Sequence, residues 1–227
     1  MKQQANEAYT NGDYAKAKEI YEDLAKQNDA DSITSLGFLY HNGHGVSQDF
    51  AKAKEYYERA ANLNEPFSQF NLGILYANGY GVEKDLKTAF GWFLKAAILE
   101  VSLAQYETAM MLERGEGIEQ NYSEAAFWYE EAAKRGNIEA FNNLAVLYKD
   151  GLGVEQSYEK AFILFKRAAD NNNAQAQFNV GFMYDQGFGC EANQDKALEY
   201  CRKAAFAGHE KAKSLMTRLQ QDGQIVF

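Results

Sequence analysis

Three histidines, two cysteines and five Gly-x-Gly loops are the residues of this chain from which chemistry could be built. His41 and His44 stand three residues apart, at the end of an expected helix and in the loop after it. Two imidazoles can begin a metal site. No third ligand is identifiable, and the matching positions in later repeats hold Ala77 and Tyr80, or Lys149 and Leu152. The pair therefore reads as variable loop residues, and no metal is expected. His209 is isolated in a linker. Cys190 and Cys201 form no C-x-x-C and no disulfide framework, although a bond joining that loop to the following helix is geometrically open. Each reads as a small hydrophobe, at a loop-valine position and at an aromatic helix position.

A Gly-x-Gly loop cradles phosphate when a strand precedes it and a helix follows. Here helices are expected on both sides, so the glycines read as turns. The 32 acidic residues fall mostly at exposed helical positions, Glu22-Asp23 and Glu130-Glu131 among them. No serine or cysteine pairs with a histidine and an acid to make a nucleophile. The expectation is no catalytic residue, no enzyme and no cofactor.

The formal net charge of −9 repels phosphate backbones, so nucleic acid and anionic membrane surfaces are poor partners. A protein or peptide partner, a basic one above all, suits the charge better. No apolar run approaches the roughly 18 residues of a membrane span, so no direct membrane insertion is expected. The first residues lack an apolar signal core. As written the chain reads as cytoplasmic, and as periplasmic or secreted if a signal was removed. The single proline, Pro66, leaves helices uninterrupted.

Three signals recur with a period of 36. Leu36-Gly37-x-x-Tyr40 returns as Leu72-Gly73-x-x-Tyr76 and Val180-Gly181-x-x-Tyr184, with weaker copies at 108–112 and 144–148. The glycine pairs fall at 43/45, 79/81, 115/117, 151/153 and 187/189. Alanine pairs follow at 60, 96, 132, 168 and 204, with a lone alanine at 53, 89, 125, 161 and 197. Leu72, Gly73 and Tyr76 share one helical face. The glycines end that helix, Asp85 is placed to cap the next as Asp49 does, and Ala89, Trp92, Phe93, Ala96 and Ala97 form its inward stripe. One such helix–turn–helix cannot bury its apolar face alone, so stacked neighbours must complete the core.

The pattern Leu-Gly-x-x-Tyr-x-x-Gly-x-Gly-Val-x-x-Asp-x-x-Lys-Ala, then Ala-Ala, carried by residues 36–61, resembles the Sel1-like repeat. Ala109 and Ala145 replace the glycine, Leu112 the tyrosine, and Asn121, Ser157 and Asn193 the capping aspartate. The resemblance implies an all-α fold, a right-handed superhelical solenoid of tetratricopeptide-like helix–turn–helix repeats. It divides the chain into a tetratricopeptide-like capping half-repeat at 1–29, five repeats at 30–65, 66–101, 102–137, 138–173 and 174–209, and a capping helix and tail at 210–227. The apolar tail 223–227 is a candidate for self-association or for folding back. One subgroup with a cysteine pair in each repeat has β-lactam-related activity, and this chain lacks those cysteines.

In such solenoids the first helix of each repeat lines a concave groove. Helical offsets from Leu36 and Gly37 then nominate Phe38, Asn42, Phe70, Ile74, Asn78, Tyr106, Met110, Arg114, Asn142, Val146, Lys149, Phe178 and Phe182 as partner-binding residues. Aromatics are favoured interface anchors; at 70, 106 and 178 they also suit an inter-helix core. The amides of Asn42, Asn78 and Asn142 can donate and accept together. The resemblance implies a non-catalytic adaptor. Two alternatives stay open: an immunity-type protein that neutralises a secreted bacterial toxin, and an envelope or host-contact virulence factor.

Overall fold

The computed structural model describes residues 1–222, and the apolar tail 223–227 lies outside the described residues. Among the described residues there are thirteen helices and no strand. The chain divides into two compact units, the first Met1–Gln120, the second beginning at Asn121. The first unit holds α1 (Lys2–Thr10), α2 (Tyr14–Ala25), α3 (Ala30–Asn42), α4 (Phe50–Ala61), α5 (Pro66–Asn78), α6 (Leu86–Ile98) and α7 (Ser102–Arg114). The second holds α8 (Tyr122–Lys134), α9 (Ile138–Asp150), α10 (Tyr158–Asp170), α11 (Ala174–Gln186), α12 (Gln194–Phe206) and α13 (Glu210–Gln221).

The second helix of each pair starts where an oxygen-bearing side chain can take a free backbone N–H. Asp13, Asp49, Asp85, Asn121, Ser157 and Asn193 each accept from the N–H three residues on. Most first helices are capped likewise, by Asp29, Glu65, Asn137, Asn173 and His209, whereas Val101 before α7 offers no side-chain cap. Glu65 is buried and also accepts from the Thr34 hydroxyl at 2.9 Å, so one carboxylate ties α5 to α3.

The repeated alanines let the helices approach closely. Ala17, Ala53, Ala89, Ala125 and Ala161 are all 0% exposed. A ring on the second helix then fills the space over the first: a β-carbon added at Gly37 would lie 2.6 Å from the Tyr57 ring, and one at Gly73 2.5 Å from Phe93. Tyr57 is wholly buried and its hydroxyl has no partner. Burial alone pushes that phenol well above its ordinary range. Phe93 and Phe165 show that the same register works without a hydroxyl. Tyr57→Phe is expected to raise stability by about 1 kcal/mol, because an unsatisfied buried hydroxyl is removed with little change of shape. A urea titration at neutral pH that shows an unchanged or lower midpoint refutes this.

The loops lock one repeat onto the next. In three of the five loops the residue between the two glycines is a ring that lies flat on the first residue of the preceding second helix. Tyr14 stacks on His44 at 4.8 Å, Phe50 on Tyr80 at 5.0 Å, and Tyr158 on Phe188 at 4.7 Å between ring centroids. The first glycine caps the helix in a left-handed conformation, as Gly187 does after α11 at φ 70°. The second lets backbone pass where a side chain would not fit.

Candidate functional site

In the first unit the first helices α1, α3, α5 and α7 share an open face. It forms a groove of about 320 Å³ lined in part by Tyr9, Phe38, Phe67, Phe70 and Leu103. Phe38, Phe67 and Leu103 are 41%, 56% and 52% exposed, large apolar side chains turned to solvent side by side. Polar side chains in the groove floor hydrogen-bond within the protein. The Tyr21 hydroxyl donates to Asn6 at 2.8 Å, and Thr34 hydrogen-bonds Ser68 at 2.7 Å. The Tyr9 hydroxyl reaches His44 Nδ1 at 2.9 Å.

Of the residues nominated from helical offsets, Phe38 and Phe70 meet in this groove. Phe70 is half-buried, its ring 5.6 Å from that of Phe93, so it serves both core and groove. Ile74 is half-buried and packs in the same core cluster. Asn42 and Asn78 are exposed at their helix ends, each donating to the carbonyl four residues back, of Phe38 and Ile74. Tyr106 and Met110 are half-buried on α7, and exposed Arg114 lies 3.8 Å from Glu116. Phe67 and Leu103 escaped the offset argument. They sit one helical turn before Phe70 and Tyr106, and extending the same stripe backward would have found them.

In the second unit Phe178 and Phe182 line an apolar pocket of about 370 Å³ with Leu198, Cys201, Leu215 and Leu219. Cys201 holds the register that carries a ring in the other repeats, so a smaller side chain opposes Gly181 there. Phe178 also stacks on His209 at 4.5 Å, and Phe182 is 46% exposed. Val146 packs against the core, and Lys149 pairs with Asp150. Asn142 is buried and already engaged: its amide donates to Asn143 at 3.1 Å and accepts from Asn179 at 3.4 Å.

The groups that could do chemistry are dispersed. Cys190 and Cys201 are free thiols, and burial pushes both upward, which keeps them protonated and poorly nucleophilic. Among the described residues no group of three His, Cys, Asp or Glu side chains could hold a metal ion, and no helix is long and apolar enough to cross a membrane.

His41 is half-buried among rings, with Phe50 at 5.3 Å, Tyr80 at 6.2 Å and Tyr57 at 6.3 Å, and its Nδ1 is buried without a partner. Burial lowers its proton affinity below the ordinary histidine value of 6.5. The unfolded chain therefore takes up this proton at a higher pH than the folded one. The contribution of neutral His41 is present above about pH 6.5 and is lost as pH falls below it. His41→Gln is expected to flatten the decline in stability between about pH 7 and 5. Parallel urea titrations of the two proteins across that range, if they show equal slopes, rule this out.

Comparison with known proteins follows the same lines. A family model described as Sel1 repeat matches residues 30–65, 66–100, 102–137, 138–173 and 174–209. The crystal structure of a Sel1 repeat protein from Oxalobacter formigenes is similar at a TM-score of 0.92 and 26% identity, over 97% of this chain and 91% of that one. That of c5321, a protective antigen of uropathogenic Escherichia coli with an SLR fold, is similar at 0.58 and 27% identity, over 96% of this chain and 59% of that one. The immunity protein PA5088 from Pseudomonas aeruginosa shares the fold at 0.52 and 20% identity, over 99% of this chain and 84% of that one. No curated protein sequence matches significantly.

Proposed function

The chain belongs to the Sel1 repeat family, whose members generally mediate protein–protein interaction, and on that premise we propose that it is a scaffold that holds a protein partner against the first helices of its repeats. The observation that carries this reading is the groove in the first unit, where Phe38, Phe67 and Leu103 lie exposed beside Phe70 and Tyr9. Aromatic side chains clustered on a surface are the usual anchors of a protein interface. The occupant is a segment with apolar anchor residues, and the net charge of −9 favours basic flanking residues in it. Asn42 and Asn78 at the helix ends present amides to its backbone. In the second unit the Phe178–Phe182 pocket offers a further anchor point of the same kind.

The test is capture of protein partners from the source cell with two baits, the unaltered chain and one carrying Phe38→Ala, Phe67→Ala and Leu103→Ala. These side chains are exposed, so each change is expected to alter stability by no more than about 0.5 kcal/mol. A stoichiometric partner held by the first bait and at least about tenfold weaker on the second is the expected result. A partner held equally by both places the interface elsewhere and ends this reading.

A further inference from the structure

A second surface departs from the chain's own repeat pattern in several ways at once. In the second unit a cleft of about 320 Å³ lies between the second helices α8 and α10, with α9 beneath. Phe141, Leu144 and Ile163 line it, with Lys160 and Arg167 at its edge. The repeats serve as internal controls. Glu19, Glu55 and Glu199 occupy the register of Ile163, yet α10 and α8 carry Ile163 and Phe127 there, 56% and 55% exposed. Gln69, Gln105 and Gln177 hold the register of Phe141 and are buried, the last two donating to a carbonyl of the preceding helix. Phe141 is half-buried and lines the cleft instead.

The cations beside the cleft keep the repeat register, Lys52 and Lys196 matching Lys160 and Arg59 and Lys203 matching Arg167, so what is particular here is the apolar surface they flank. Lys160 lies over the Tyr148 ring at 5.0 Å and Arg167 over Phe141 at 5.8 Å. Neither makes an ion pair among the described residues. The lining carboxylate, Glu130, is paired with Lys134 at 3.0 Å, and Lys134 also meets Glu131 at 2.9 Å. A strongly acidic protein thus keeps two uncompensated cations beside an exposed apolar cleft. We propose that this cleft binds an acidic peptide segment of a protein partner, whose apolar side chain enters between Phe141, Leu144 and Ile163 while its carboxylates meet Lys160 and Arg167. This partner has the opposite charge to the one favoured for the first-unit groove, and the proposal does not rest on that groove.

Two variants test it with precedent for folding in the chain itself. Ile163→Glu installs the residue of positions 55 and 199, and Arg167→Glu that of position 131. A displayed library of random twelve-residue peptides is selected on the unaltered chain and counter-selected on the double variant. The surviving peptides are expected to carry a bulky apolar residue beside two or more Asp or Glu. A synthetic survivor is expected to bind at least about tenfold more weakly to each single variant, to weaken with salt, and to be indifferent to Phe38→Ala. Survivors that are neutral or basic, or no peptide that tells the two proteins apart, overturn the proposal. So does self-association of the unaltered chain in sedimentation that Ile163→Glu abolishes, because the acidic occupant is then a second copy.

Discussion

Gly189→Ala is expected to destabilise the protein by about 3 kcal/mol or more, far beyond the usual effect of adding a methyl group to a loop. Two costs combine. Gly189 has φ 66°, where an L-residue pays roughly 1–2 kcal/mol. Its β-carbon would also fall 2.1 Å from the carbonyl oxygen of Tyr158, an overlap that only movement of backbone can relieve. Tyr158 is the first residue of α10, and its ring is already clamped under Phe188. The loop of one repeat and the helix start of the previous one must therefore separate together. Gly136→Ala is the control. Gly136 has φ 84° but nothing within 4 Å of an added β-carbon, so only the backbone cost applies. Urea titration should place Gly189→Ala at least about 1 kcal/mol below Gly136→Ala. Equal losses for the two would mean that the overlap relaxes freely and that the loop does not hold the repeats together.

That contrast also marks the limit of what the sequence made legible. Features set by local geometry were readable: the 36-residue period, the glycine stops after the first helices, and the caps at Asp49 and Asp85 with their Asn and Ser substitutes, because helix termination and capping depend on a few adjacent residues. The stacking of Tyr14 on His44 was not. It joins residues thirty positions apart in different repeats, and only their stacked placement reveals that His44 is a packing residue rather than a variable loop residue. The candidate site shows the same division. Helical offsets found Phe38, which is exposed. They treated Asn142 as another groove amide, although Asn143 and Asn179 engage it in the interior. They stopped one turn short of Phe67 and Leu103, because the stripe was begun at the core motif rather than at the helix start.

Phe165→Ala is the second large effect expected, a loss of about 3–5 kcal/mol. Phe165 is 0% exposed and packs among Ala145, Ala161, Ala168, Ala169 and Ala176. Truncating the ring leaves a cavity that the surrounding helices close only in part. Ile163→Ala, two residues earlier on the same helix but 56% exposed, should cost no more than about 0.5 kcal/mol. Cys201 shows what the fold does when this register loses its ring: the last repeat keeps its helices, with an open pocket beside the thiol. In a solenoid, stability is a sum over units and their interfaces, so the loss should be felt first where the cavity lies. Trp128 stands in the second unit and Trp92 in the first. Single-tryptophan variants retaining one or the other should report separate transitions in Phe165→Ala, that of Trp128 falling to lower urea. Coincident transitions, shifted equally, would show instead that the helices melt as one cooperative body.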